Sequence, residues 1–159
     1  MTSGEWIDTK PYEAYARVNA ALREPNLSSD GRSTVRRLEN IMHGPLGEMA
    51  ECKELGVLDD WFNRQKELIQ HNVYDDGGHD VPGHDIDVKV IPFGGDYVNI
   101  KNPRAKTYRV WEYDKAGHRI RRVGECVKSD VHPFEYAGQQ RQGVLRSELK
   151  PATVVSSTP

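Results

Sequence analysis

The sequence predicts an α/β fold: a mixed central β-sheet flanked by helices, with an extra helical segment at the N-terminus. Three observations carry this. Apolar residues recur at helical spacing early in the chain, as in Tyr12, Tyr15, Val18 and Leu22. From residue 86 the period changes to two, with Ile86, Val88 and Val90 alternating against Asp85, Asp87 and Lys89. Further on, two runs rich in aromatic and β-branched residues flank Asp114-Lys115-Ala116-Gly117, the pattern of a β-hairpin. A chain of 159 residues suits a single domain with its own core, and 36% hydrophobic residues leaves room for polar loops or a loose tail.

Residues 1–10 read as an irregular lead-in. Thr9-Lys10-Pro11 starts a helix, because proline near the first position loses no hydrogen bond, and the apolar spacing continues to Pro25. Residues 26–31 are a polar loop. Ser33 caps a second helix with Val35, Leu38, Ile41 and Met42 on one side and Arg32, Arg36 and Arg37 free to meet phosphate or solvent. Gly44-Pro45 breaks the pattern, and Leu46, Met49 and Ala50 restart it up to Leu55, with Glu48 and Glu51 beside the apolar face. Asp59 or Asp60 caps another helix, carrying Trp61, Phe62, Gln65, Leu68 and Ile69, which His71-Asn72 ends.

The strand half follows. Val81-Pro82-Gly83-His84 is a turn, residues 88–91 a strand running into Pro92, Gly94-Gly95-Asp96 a turn and residues 97–101 a short strand. The hairpin takes residues 107–113 and 119–127. An irregular or one-turn helical segment runs from Ser129 to Tyr136, then a polar loop at 138–141 and a short strand within 142–150. Residues 1–43 are expected as a helical extension packed on a core at 44–150, with 151–159 a disordered tail.

Charge is unevenly spread although the net charge is only −2. From Glu39 to Asp87 there are twelve acidic residues against Lys53, Arg64 and Lys66. From Lys101 to Lys128 there are nine Lys or Arg against Glu112, Asp114 and Glu125. An acidic site beside a basic stretch suits an enzyme that holds a cation and tracks a polyanion; a patchy solvated surface is the alternative. Lys101, Arg104, Lys106, Arg119, Arg121 and Arg122 are the candidate DNA phosphate contacts, against the alternative of an ordinary solvated hairpin. Cys52 and Cys126 have no metal-type spacing and are expected as free thiols in a reducing compartment. The N-terminus lacks a secretion signal and no apolar run approaches a membrane span, so a cytoplasmic protein is expected.

The stretch that points to chemistry is residues 75–91. Asp75, Asp76, Asp80, Asp85 and Asp87 crowd together there, and their repulsion is unfavourable without a cation. The 81–84 turn carries Asp80 back towards Asp87, and period-2 alternation puts Lys89 beside Asp87 on the polar face. A divalent cation on such carboxylates polarises a phosphate and lowers the pKa of bound water. Mg²⁺ keeps several waters and needs only one or two protein carboxylates. A lysine alongside orients the attacking water or stabilises developing negative charge. Two other readings stand beside this one: an exposed Asp–Lys pair worth under about 1 kcal/mol, and a zinc site from His79, His84 and Asp85 with no cysteine near.

Asp80, a turn, then Asp87-Val88-Lys89 resembles the PD-(D/E)xK nuclease superfamily, in particular its small phage-type members. Gly47-Glu48, Gly78-His79-Asp80 and Ile86-Asp87-Val88-Lys89 carry the likeness, which covers residues 44–150. The interval from Asp80 to Asp87 is shorter than the family's, so Asp76, Asp80 and Asp85 all stand as candidates for the first metal ligand. The resemblance implies a restriction-endonuclease-like sheet with Asp80 and Asp87 on adjacent strands. It implies a phage-encoded, Mg²⁺- or Mn²⁺-dependent endonuclease hydrolysing phosphodiester bonds of double-stranded DNA in the host cytoplasm, as a monomer or homodimer. Asp80, Asp87, Lys89 and Glu48 would be catalytic, and Asp80, Asp87, Glu48 and the Val88 carbonyl would hold the metal. The competing function is a catalytically inactive relative that binds DNA or inhibits a host protein.

Overall fold

The computed structural model describes residues 4–23, 43–71 and 80–152. The helix expected after Ser33, with Arg32, Arg36 and Arg37, lies outside the described residues, as do Asp75, Asp76, Gly78 and His79. In order the elements are β1 (Ile7–Asp8), α1 (Lys10–Arg23), α2 (His43–Glu54), α3 (Leu58–Gln70), β2 (Ile86–Pro92), β3 (Tyr97–Asn99), β4 (Thr107–Asp114), β5 (Arg119–Val127), β6 (His132–Tyr136) and β7 (Gln139–Leu145). Single 3₁₀ turns follow β5 and β7, at Lys128–Asp130 and Arg146–Glu148.

The α/β class holds, with a mixed sheet, but the layering differs from a single sheet flanked by helices. A four-stranded sheet has the order β1-β5-β4-β2, in which only β2 and β4 run parallel. A three-stranded antiparallel sheet has the order β3-β7-β6. Ile86 and Val88 of β2 join Trp111 and Tyr113 of β4 in one core, with α1, α2 and α3 supplying Ala16, Leu46, Met49 and Trp61. Ile91, one strand parity away, joins Tyr108, Val110 and Val123 in a second core that Val98 and Val144 of the smaller sheet complete. Among the described residues the helices therefore cover one face of the larger sheet and the second sheet covers the other.

Several local expectations are corrected. The lead-in is not loose: β1 pairs with β5, and the Gly4 N–H donates to the Arg122 carbonyl at 2.7 Å. Gly44-Pro45 lies inside the first turn of α2, where neither residue needs a hydrogen bond to a preceding turn. Helix α3 begins at Leu58 without a side-chain cap, and Asp59 and Asp60 sit in its first turn, where carboxylates suit the helix dipole. Residues 132–136 are a strand rather than an irregular segment, and 139–141 belong to its partner rather than to a loop. The β4–β5 hairpin has the expected turn, in which the Gly117 N–H donates to Asp114 Oδ1 at 3.1 Å.

Gly47 is what lets α2 sit down on β2. A Cβ there would run into the Val90 side chain and meet Val88 Cγ1 at 3.1 Å. At the far end of the sheet Glu13 ties α1 to the hairpin turn. Its buried carboxylate accepts from Tyr113 Oη at 2.7 Å and meets His118 Nδ1 at 2.9 Å. Burial pushes Glu13 up, but the His118, Tyr113 and Thr9 hydrogen bonds together hold it below the ordinary glutamate value.

Two outcomes follow. Gly47→Ala should lower the urea unfolding free energy by about 1 to 3 kcal/mol, because the helix must lift off the strand. Glu13 has a depressed folded pKa, so its contribution is present above the unfolded value of about 4.3 and is lost as pH falls through the folded value. Stability measured from pH 6 downward should therefore fall less steeply in Glu13→Gln than in the wild type.

Candidate active site

Among the described residues β2 has a neighbouring strand on one side only. Its inner edge pairs with β4, and its outer edge is taken up locally by Asp80. The Val81–His84 turn, closed by His84 N–H to Val81 O at 3.1 Å, folds the chain back with Gly83 at a φ of 78°. Val81 anchors the turn in the helical core with no exposed surface. Asp80 then meets β2 twice: its N–H donates to Ile86 O at 3.1 Å, and its Oδ2 accepts from Val88 N–H at 2.7 Å. Asp80 is thus not on a strand adjacent to that of Asp87, as the sequence suggested. It lies in the segment leading into β2, and its carboxylate stands in for a neighbouring strand's carbonyl. In an extended strand a residue's N–H and C=O point the same way, so the Val88 carbonyl faces this edge too.

Asp87 and Lys89 share one face of β2 as the alternation requires, with Lys89 Nζ 3.1 Å from Asp87 Oδ2. Asp87 is paired in register with Tyr108 of β4. Burial pushes the Tyr108 hydroxyl up, and the nearby Asp87 charge raises it further while Lys89 opposes. Asp87 and Lys89 therefore stand on the side of the second sheet.

Glu48 is elsewhere. It projects from α2 into the helical layer and accepts from Trp61 Nε1 at 3.3 Å. Glu48 and Asp80 both act on the buried Cys52 thiol, with Arg64 opposing, and burial is the largest cause of that thiol being pushed up to about 12. Asp80 at the strand edge thus lies between Glu48 on one side of β2 and the Asp87–Lys89 pair on the other. Among the described residues no three His, Cys, Asp or Glu side chains gather into a metal-holding group. His84 and Asp85 flank the start of β2, where Asp85 Oδ1 accepts from Lys106 N–H at 3.1 Å.

The six basic candidates divide into two sets. Arg119 pairs with Asp114 at 2.8 Å, Arg121 with Glu112, and Arg122 with Glu54 at 2.6 Å. The guanidinium groups of Arg119 and Arg121 also lie 4.1 and 4.3 Å from the Trp6 ring centre. These three are built into the fold. Lys101, Arg104 and Lys106 are exposed. Arg104 and Lys106, with Lys128 and Asp85, line an open groove of about 650 Å³ at the entrance of β2.

Sequence reading missed what lies beyond Lys89. A smaller pocket of about 260 Å³ runs from Lys89 along the edge of β2 to Asp96, Tyr97 and Asn99. It lies where β2 passes through a turn into β3 of the second sheet. Comparison of the chain with protein-family models, curated proteins and solved structures finds no match.

Asp80 has a structural and a charged role that substitution can separate. Asp80→Ala leaves the Val88 N–H without its acceptor and should cost about 1 to 3 kcal/mol in denaturant unfolding. Asp80→Asn keeps an acceptor oxygen and should recover most of that stability, while losing the charge that a cation would require.

Proposed function

We propose that the chain is a divalent-metal-dependent DNA endonuclease of the restriction-endonuclease-like kind. The observation that carries this reading is the 2.7 Å bond from Val88 N–H to Asp80 Oδ2, which draws a carboxylate onto the strand that bears Asp87 and Lys89. The donor set is hard oxygen throughout: Asp80, Asp87 and the Val88 carbonyl. That suits Mg²⁺ or Mn²⁺, which needs one or two protein carboxylates and completes its shell with water and phosphate oxygen. When bound, such an ion supplies Lewis acidity towards the phosphate and a lowered pKa for water.

The chain's own residues supply the rest. Lys89, held by Asp87 and only partly exposed, is placed to steady the attacking water or the negative charge that develops on phosphorus-bound oxygen. Arg104 and Lys106 flank Asp85 at one end of β2 and provide phosphate contacts that orient a strand without reading sequence. Glu48, bonded to Trp61 in the helical layer, has a positioning role in this reading, acting through the packing around Cys52 and Asp80. A second reading, a non-catalytic nucleic-acid-binding or inhibitory protein, is favoured by one observation: Glu48 and the Asp87–Lys89 pair belong to opposite sides of β2.

Supercoiled plasmid incubated with Mg²⁺ or Mn²⁺ should be nicked or cut, and chelator should stop it. Asp87→Ala and Lys89→Ala should each lower the rate by about 10²-fold or more with the fold intact by circular dichroism. The thermal midpoint should rise with millimolar metal in the wild type and rise less in Asp87→Ala. Full cleavage by folded Lys89→Ala would show the triplet to be wrong. No cleavage together with an unmoved midpoint would favour the binding protein.

A further inference from the structure

The β6–β7 hairpin and the end of β3 build a surface that the cleavage chemistry does not use. His132, Phe134 and Tyr136 alternate along β6, and Arg141 is the register partner of Phe134. Tyr97 of β3 completes the set, with ring centres 4.6 Å from Tyr136 and 5.9 Å from Phe134. The Arg141 guanidinium lies over the Tyr97 ring at 4.8 Å. None of these rings belongs to either core, and each keeps part of its surface in solvent.

Next to the aromatic set lies a groove of about 440 Å³, where Asn99, Lys101 and Arg141 meet Pro133, Gln140 and Gln142, which strand alternation assigns to the hairpin's other face. Its chemistry is unusually one-sided: two cations, three carboxamides, one apolar ring and no carboxylate. Asn99 also lines the pocket that begins at Lys89. Tyr97, under the Arg141 guanidinium, lines that same pocket. The two concavities therefore share a wall, and a chain lying in both would run from Lys89 past Tyr97 and Asn99 to Lys101 and Arg141.

From this we infer that the hairpin is a docking platform for single-stranded DNA, which it leads to or from the Lys89 end of the pocket. Lys101 and Arg141 complement the phosphates. Asn99 offers both a donor and an acceptor to base edges, and Tyr97 and Phe134 offer faces on which an unpaired base stacks. Stacking on these rings requires bases that are not already enclosed in a duplex, which selects the single strand. The inference concerns binding and holds whether or not the Asp87–Lys89 site cuts, so the two can fail separately.

The test is fluorescence anisotropy of the full chain with a labelled oligothymidylate of twelve nucleotides, in chelator so that cleavage plays no part. Phe134→Leu keeps apolar bulk without an aromatic face, and Lys101→Gln with Arg141→Gln removes charge without shortening the side chains. Each should weaken binding by roughly five- to tenfold, while Lys10→Gln, on exposed α1, should leave it unchanged. The slope of log affinity against log salt should become shallower by about 0.7 for each phosphate that Lys101 or Arg141 no longer neutralises, and should stay the same in Phe134→Leu. Thermal unfolding of each variant checks that the hairpin persists. Because only folded variants count, wild-type affinity in folded Phe134→Leu and in the double glutamine variant would overturn the inference. So would tighter binding of a blunt duplex of equal length, or no binding of the oligonucleotide by the wild type. Loss of oligonucleotide binding in these variants alongside no metal-dependent cleavage by the wild type would sink the nuclease and leave the platform standing.

Discussion

Each face of the four-stranded sheet is closed by a buried carboxylate held between two arginines. On the helical face Glu51 of α2 has no exposed surface, accepts from Trp111 Nε1 at 3.2 Å and lies 3.5 Å from Arg109 and 3.7 Å from Arg122. On the other face Glu112 of β4 takes Arg121, Arg146 at 2.8 Å and the Gly94 N–H at 3.2 Å. The two respond differently to burial. Burial wins at Glu51, which is raised in spite of Arg109 and Arg122, whereas the Arg146 and Arg121 bonds win at Glu112 and lower it. An ion pair of this kind adds little over an apolar replacement, yet losing one partner costs about 3 to 5 kcal/mol. Such pairs fix which residue meets which. Glu51 sets α2 against β4 and β5, and Glu112 sets the β2–β3 turn and the end of β7 against the same two strands.

That constraint decides what the basic segment does. Between residues 101 and 128 the chain looks like a polyanion-binding strip, but Arg109, Arg121 and Arg122 answer Glu51 and Glu112, and Arg119 answers Asp114. Glu51 and Glu54 of the acidic half take Arg109 and Arg122 across the layers, while Arg119 and Arg121 are answered by Asp114 and Glu112 within the basic segment itself. The cations of this segment that face solvent outside its strands are Lys101, Arg104, Lys106, Lys115 and Lys128. Arg104 and Lys106 lie near the start of β2 because β2 and β4 run parallel, which brings the residues preceding β4 level with those preceding β2.

How much of this was legible follows from the range of the interactions. The β4–β5 hairpin was, since its turn and both strands are contiguous, and so was the alternation of β2, whose Ile86 and Val88 face the helices while Asp87 and Lys89 do not. Asp80 could be carried back to β2 because only a four-residue turn intervenes. β1 escaped because two residues are too few for a pattern, and β6 because Pro133 and alternating polar residues resemble a loop. The β6–β7 turn places Ala137 at a φ of 52° before Gly138 at 77°, a reversal in which alanine gives no warning. The partners of Glu51 and Glu112 are mostly far away in sequence, and no local spacing marks them. The bond from Trp61 Nε1 to Glu48 joins two helices, and no local spacing marks Trp61 as that partner.

The edge of β2 gains its meaning from these constraints. Gly47 lets α2 approach until Val88 and Val90 are covered, so one face of the strand is filled and its position fixed. The second sheet fills the far half of the other face through Ile91 and Val98, but stops short of Asp87 and Lys89. Among the described residues β2 has no strand paired along its outer edge, and an edge of that kind is a row of backbone groups that invites wrong pairing. Asp80 meets that demand with one N–H and one carboxylate oxygen. The protection it gives differs from that of a full neighbouring strand, because an ionised carboxylate offers about four lone-pair sites where a backbone carbonyl offers two. The Val88 N–H bond to Asp80 Oδ2 is thus a contact of a different kind from the one that a strand's carbonyl would make, and it lies on the strand that carries Asp87 and Lys89.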